Sequence, residues 1–338
     1  MQPRCPECGN SQLAPYLSED AVRLETILRA QFVFDRVEKN PKPEERKDLT
    51  SFAHGAAASL AECPRCSILV RVEQQNEPNQ TYVDDPYDPA AIDRLLPRYI
   101  DAFRAKEQPY RSLLAEGATV VEIGPHFGAF LHVARDWGWH STGIDIGKDT
   151  TRYIRDQGFA IQNCSLEECR LPAASHDGVF IWNCFEQIPD AHSTLEEARR
   201  ILKPGGLLIL RTPNALFYRV CQDRLKATPD SDLSLWIVRS LGYNNLLAFP
   251  YLYGYSSDSL ARLGAAHGFR CEAALNAELI TLPFPELPDW VVDENRAAYA
   301  LIRQWSELEE HERNGRLTAP WIELILRAVG SLPAPVSR

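Results

Sequence analysis

Val120-Val121-Glu122-Ile123-Gly124-Pro125-His126-Phe127-Gly128 decides the fold of this chain. The stretch opens on short branched residues, turns through glycines and runs into residues 129–137, which read as helix. A side chain at Gly124 or Gly128 would hold the backbone away from a ligand or force a left-handed conformation that costs energy. The turn ends at a helix N-terminus, where free N–H groups can meet a carboxylate or a phosphate. Strand, glycine turn and helix together open many doubly wound folds.

Three later stretches narrow the choice. Ser141-Thr142-Gly143-Ile144-Asp145-Ile146 reads as a second strand ending in an acid, placed where a carboxylate can accept both hydroxyls of a ribose. Residues 177–190 carry a buried strand into the loop Glu186-Gln187-Ile188-Pro189-Asp190. Leu202-Lys203-Pro204-Gly205-Gly206 closes a helix and opens another buried strand. In this order and spacing the four stretches resemble the class I S-adenosylmethionine-dependent methyltransferases, over roughly residues 111–282. The resemblance implies a Rossmann-like, doubly wound, mostly parallel α/β sheet. Strands are expected at 119–123, 141–144, 159–162, 178–182 and 207–211, with right-handed helical crossovers.

The resemblance also implies a cofactor, S-adenosylmethionine, and a set of contacts. The backbone of Gly124, Pro125, His126, Phe127 and Gly128 approaches the methionine moiety, and Glu122 orients its ammonium. Asp145 takes the ribose hydroxyls and Ile146 packs on the adenine. Ser165 and Leu166 meet the adenine amine and ring, although Asn163-Cys164-Ser165 stands where relatives often carry Asp. Asn183 and Phe185 lie beside the sulfonium. No general base declares itself, because Gln187 occupies the place where many relatives have His. His126, Glu186 and Tyr255 are the candidates.

The chain has 338 residues, 45% hydrophobic, enough for one large domain with additions or for two domains. No apolar run approaches a membrane span. The N-terminal Met-Gln-Pro-Arg-Cys lacks the basic-then-apolar pattern of a signal peptide, so a cytoplasmic protein is expected. The net charge is −10, and residues 1–75 hold ten Lys/Arg against eleven Asp/Glu. A nucleic-acid binder must neutralise phosphates with a basic face, so the charge speaks against one.

Nine cysteines in such a compartment are expected to be thiols. Cys5-Pro-Glu-Cys8 and Cys63-Pro-Arg-Cys66 each put two thiolates on one tight turn, and two such turns complete a tetrahedral zinc site. A lone pair could be redox or coincidence; two with the same internal proline favour a structural zinc held by Cys5, Cys8, Cys63 and Cys66. The 54 residues between the knuckles form an insertion whose 21–37 stretch has helical periodicity. His54 is expected at the surface.

Four regions follow. Residues 1–75 form the zinc-binding module. Residues 76–115 form a linker and a helix over 92–114; Tyr99, Phe103 and Tyr110 on it read as core first and cofactor cover second. Residues 116–285 form the methyltransferase domain, with an aromatic-rich lid insertion at 214–255. Residues 286–338 form an extension of two amphipathic helices, the second starting at Thr318-Ala319-Pro320. Its stripe of Trp290, Tyr299, Ile302, Trp305 and Leu308 reads as core or as a homodimer seam. The enclosed, acidic chain points to a small-molecule acceptor, natural-product or sugar-like. The alternatives are an RNA methyltransferase using the zinc module for its substrate and a non-catalytic adapter that binds S-adenosylmethionine.

Overall fold

The computed structural model describes residues 4–22, 58–73, 89–228, 232–234, 236–237, 252–277 and 289–330. The expected helix beyond residue 22, His54, the linker at 74–88 and much of the lid insertion, Tyr243, Phe249 and Tyr251 among it, lie outside them. The described residues form two compact units. One is drawn from 1–81, 213–259 and 276–322, the other from 82–212, 260–275 and 323–338. No helix among the described residues is long and apolar enough to cross a membrane.

The second unit carries the sheet. Its strands are β4 (Thr119–Ile123), β5 (His140–Asp145), β6 (Ala160–Asn163), β7 (His176–Trp182), β8 (Leu202–Pro213), β10 (Phe269–Ala277) and β11 (Trp321–Ala328), in the order β10-β11-β8-β7-β4-β5-β6. Strands β6, β5, β4, β7 and β8 pair in parallel, with Val120 opposite Ser141 on one side and Gly178 on the other. The central strands β4, β7 and β8 are buried on both faces, which is why they carry apolar runs, whereas β5 and β6 at the edge are partly exposed. Val120, Val121, Val179, Ile181 and Leu207 are fully buried, each stabilising the fold by roughly 1.5–3 kcal/mol. Because β5 and β7 flank β4, the winding reverses there, and ligands of such sheets bind beyond the carboxyl ends at that reversal.

Strand β11 corrects the expected second C-terminal helix. Helices do occupy Asp289–Ile302 and Ser306–Arg313, but Thr318-Ala319-Pro320 leads into a strand. Glu323 and Arg327, four apart, imitate the polar face of a helix. Instead Arg327 donates to the Gly205 carbonyl and to Glu272, while Glu323 meets Arg211. These contacts run β11 antiparallel between β8 and β10. The expected helix over 92–114 is likewise divided, into Pro89–Arg104, Glu107–Tyr110 and a 3-10 turn, with Gln108 at ψ 125°. The ring of Pro109 disfavours the helical region for the residue before it.

The first unit contains a four-stranded sheet, β1 (Ala14–Leu17), β2 (Ala58–Glu62), β3 (Leu69–Glu73) and β9 (Tyr253–Gly254) in that order. The described start of the 214–255 insertion also belongs to this unit. Residues Ala215–Ala227 are a helix capped by Asn214, whose side chain accepts from the Leu216 N–H. Phe217 and Tyr218 are buried in one core with Leu17, Leu60, Ile302, Trp305 and Leu308. The aromatic stripe of the C-terminal helices is therefore core within the chain, save Trp290, which is 41% exposed.

Candidate active site

The glycine turn follows β4 directly. Gly124 has φ +65° and Gly128 φ +78°, the left-handed region that glycine enters without a Cβ clash. A Cβ on Gly124 would also lie 2.7 Å from Cys184 Sγ, so the turn after β4 and the turn after β7 lie against each other. The Cys184 thiol reaches the Ile123 carbonyl at 3.3 Å. His126 (φ 52°) and Asn183 (φ 55°) adopt the same left-handed conformation without being glycine. Strain of this kind gathers at functional sites.

Carboxyls converge on this junction. Glu122 is buried at the end of β4, and its Oε2 has no hydrogen-bond partner among the described residues. Burial, and then the Asp145 carboxylate, push its carboxyl well above the usual range. Asp145 ends β5, where its Oδ1 accepts from Gly147 N at 2.7 Å. Glu186 is fully buried just after β7, and neither of its oxygens meets a donor in hydrogen-bonding geometry. Burial raises it to about 7, against the pull of its own N–H, the Gln187 side chain and the Arg211 guanidinium. The Cys184 thiol is pushed up by burial and then by Glu186, Asp145 and Glu122, so three carboxyls act on one sulfur. Buried carboxylates without donors are costly, and a cation offsets that cost.

The remaining expected residues divide. Ile146 projects from the end of β5, 54% exposed. Phe127, Leu166 and Phe185 turn their side chains into the core. Pro125 packs under the turn, its Cγ 3.2 Å from the place a Cβ on Gly143 would take. His126 reaches solvent from a crowded wall, with Tyr99 at 5.8 Å between centroids; desolvation lowers its pKa. Phe103 and Tyr110 are core residues, each with its ring 5.5 Å from that of Trp182. Ser165 forms a reciprocal cap with Glu168: Ser165 N donates to Glu168 Oε2, and Glu168 N to Ser165 Oγ. The same turn is closed by a Cys164–Cys169 disulfide, which corrects the expectation of nine thiols. Their Cα atoms are 5.9 Å apart, inside the range a disulfide spans. Tyr255 belongs to the first unit, where it is fully buried and its carbonyl accepts from Ala215 N. Cys184 and Arg211 were not anticipated; a charge inside the apolar run of β8 was the available signal.

The four knuckle cysteines also come together, in the first unit. The second knuckle is the turn between β2 and β3, and the first precedes β1. Both turns set the residue after the second cysteine left-handed, Gly9 at φ 67° and Ser67 at φ 56°. The four Sγ atoms lie within 4.8 Å of one another, and Cys8 Sγ is 3.7 Å from Cys63 Sγ. Two thiolates on a tetrahedral zinc stand about 3.8 Å apart, so the donor set and its spacing fit that ion. Burial pushes the Cys5 thiol up to about 12 and raises Cys66 as well.

A family model described as a methyltransferase domain matches residues 90–274. A "probable S-adenosylmethionine-dependent methyltransferase" of Mycolicibacterium smegmatis is 29% identical over 125 residues, 36% of this chain and 49% of that protein. The C-methyltransferase NovU of Streptomyces niveus is 30% identical over 105 residues, 30% of this chain and 25% of NovU. This chain thus spans half or less of the length of these curated relatives. A solved S-adenosylmethionine-dependent methyltransferase from Archaeoglobus fulgidus aligns with a TM-score of 0.43 at 16% identity, covering 68% of this chain and 94% of that one.

Proposed function

The chain belongs to the methyltransferase-domain family, and from that membership we propose that it transfers a methyl group from S-adenosylmethionine to a small-molecule acceptor. The carrying observation is the junction of the β4 and β7 turns, where Gly124 and the Cys184 thiol lie against each other and the Glu122, Asp145 and Glu186 carboxyls act on that thiol. Two positive groups, a sulfonium and an ammonium, suit such a wall. S-adenosylmethionine supplies the electrophilic methyl; the protein holds donor and nucleophile close and in line.

Each contact follows from a position. The left-handed turn at Gly124–Gly128 brings backbone to the methionine moiety, and the unpartnered Oε2 of Glu122 takes its ammonium. Asp145 takes the ribose hydroxyls from the end of β5, where Gly147 N holds its carboxylate through Oδ1. Ile146 offers exposed apolar surface to the adenine. Leu166 contributes through the loop backbone, and Ser165 with it, its own N–H being engaged by Glu168. Asn183 and the Phe185 backbone lie on the methyl side. Glu186 supplies charge there, and titrating near 7 it is the strongest of the three acid–base candidates.

Cys5, Cys8, Cys63 and Cys66 hold a structural zinc in this reading. The acceptor in this reading is a small molecule. Three basic residues of the 214–255 segment are engaged inside their own unit: Arg219 with Glu62 (2.9 Å), Arg224 with Glu307 (2.8 Å) and Lys226 over the Tyr16 ring (4.4 Å). They are not a phosphate-binding face. Methyl transfer from tritiated S-adenosylmethionine is to be followed into a panel of sugars and phenols, with bulk RNA alongside. Label in RNA alone overturns the acceptor class, and no calorimetric binding of the methyl donor overturns the function.

A further inference from the structure

Beneath the end of β7 lies a charged cluster that the site described above does not use. Arg211, on β8, is 1% exposed, Tyr110 2% and Glu323, on β11, 3%. Arg211 Nε stands 3.2 Å from Glu323 Oε1, and the same carboxylate accepts from Lys106 Nζ and the Tyr110 hydroxyl. Burying charge in this way is weak as a source of stability, because desolvation cancels much of the attraction. Such clusters are better understood by what they fix in place.

This one fixes Asn183. Asn183 N donates to the Arg211 carbonyl at 3.1 Å, Gln187 Nε2 donates to the Asn183 carbonyl at 3.2 Å, and Arg211 Nη1 donates to Asn183 Oδ1. A guanidinium only donates, so the amide oxygen must be the atom facing it, and the amide orientation is settled by chemistry. Asn183 Nδ2 is then the one polar position of the residue with no partner among the described residues, on a half-exposed residue held left-handed. Arg211 and Lys106 bring two cations to the one carboxylate of Glu323. Asn183 Nδ2 is a donor, backed by the Arg211 guanidinium, in a wall otherwise made of Glu122, Asp145 and Glu186.

We propose that Arg211, anchored by Glu323, Lys106 and Tyr110, is a positioning residue that presents Asn183 Nδ2 to the carboxylate of the methionine moiety of S-adenosylmethionine. The proposal rests on that cofactor being the ligand. The moiety carries an ammonium and a carboxylate close together. The three carboxyls favour the first and repel the second, so the second needs a donor, and the cluster builds one where repulsion is strongest.

The test compares S-adenosylmethionine with its decarboxylated analogue, which keeps the sulfonium and the amine. Binding of each is measured by calorimetry to the full chain, to Asn183→Ala, to Arg211→Lys and to the double variant, with melting temperatures recorded. Loss of one hydrogen bond to a charged group predicts about 10- to 100-fold weaker binding of S-adenosylmethionine in each single variant. Affinity for the decarboxylated analogue stays within about twofold, and the double variant is no weaker than Asn183→Ala. Equal losses for both ligands, wild-type affinity in Asn183→Ala, or an undiminished Arg211 effect on the Asn183→Ala background each overturn the proposal. A wild-type chain that binds neither ligand overturns the cofactor itself. Tyr110→Phe, which keeps every charge, serves in the same comparison where Arg211→Lys does not fold.

Discussion

Replacing Glu186 with Gln should stabilise the protein at alkaline pH and leave it unchanged in acid. In the folded chain this carboxyl titrates near 7, against an ordinary 4.5, because burial outweighs the pull of its own N–H, the Gln187 side chain and the Arg211 guanidinium. Below 4.5 the group is neutral folded or unfolded and contributes nothing. Between 4.5 and 7 the folded state keeps a proton that the unfolded state gives up, so stability falls as pH rises. Above 7 the folded state bears the whole cost of a buried charge, about 3 kcal/mol from the distance between the two values. Gln has the same shape and no charge. Glu186→Gln should therefore gain up to ~3 kcal/mol over wild type at pH 8 and close to nothing at pH 4.5. Urea unfolding at a series of pH values reads the difference directly. A gap that does not widen between pH 5 and 8 refutes the account of Glu186 as an unpaired buried acid. The same variant should bind S-adenosylmethionine more weakly at pH 8, since it removes one of the three carboxyls facing the cation.

Gly124→Ala should cost about 1–3 kcal/mol, since a left-handed residue acquires a Cβ. That Cβ would stand 2.7 Å from Cys184 Sγ, so adding Cys184→Ala should recover part of the loss in a denaturation experiment. Asp145→Ala should weaken S-adenosylmethionine binding by about 1.5–3 kcal/mol with the fold intact, and calorimetry showing unchanged affinity removes Asp145 from the ribose site. Purified protein should carry about one zinc per chain. Cys63→Ser should lose it and raise hydrogen exchange in β2 and β3 while methyl-donor binding persists; elemental analysis finding no zinc ends that assignment.

The parallel strands were legible in the sequence because covering both faces leaves nothing but apolar residues, as in residues 207–210. The glycine turn was legible because two of its residues need positive φ. Other features were hidden by partners far along the chain. Thr318-Ala319-Pro320 looks like a helix start, and only the distant Arg211, Lys106 and Tyr110 make Glu323 tolerable inside a strand. The helix Ala215–Ala227 was hidden by its aromatics, which suggest a lid until the facing Ile302 and Trp305 are known. The resemblance assigns Ser165 to adenine, and Ser165-Leu166-Glu167-Glu168 is at the same time a capping sequence that the folded chain uses. Glu186 was visible as a residue but not as an unpaired one, since burial is a property of the folded chain.

The first unit is collected from three separated lengths of chain, and this bears on how the protein is made. Leu17 and Leu60 bury against Phe217, Ile302 and Trp305, which leave the ribosome well after them. At roughly 5–20 residues per second the N-terminal strands wait on the order of tens of seconds for the side chains that cover them. Among the described residues, the cysteine knuckles flank these strands and need no later part of the chain to come together. If the four cysteines take up zinc, metal loading during synthesis decides whether the early strands emerge as an ordered hairpin or as exposed apolar chain, and zinc-starved cells are expected to lose this protein to aggregation.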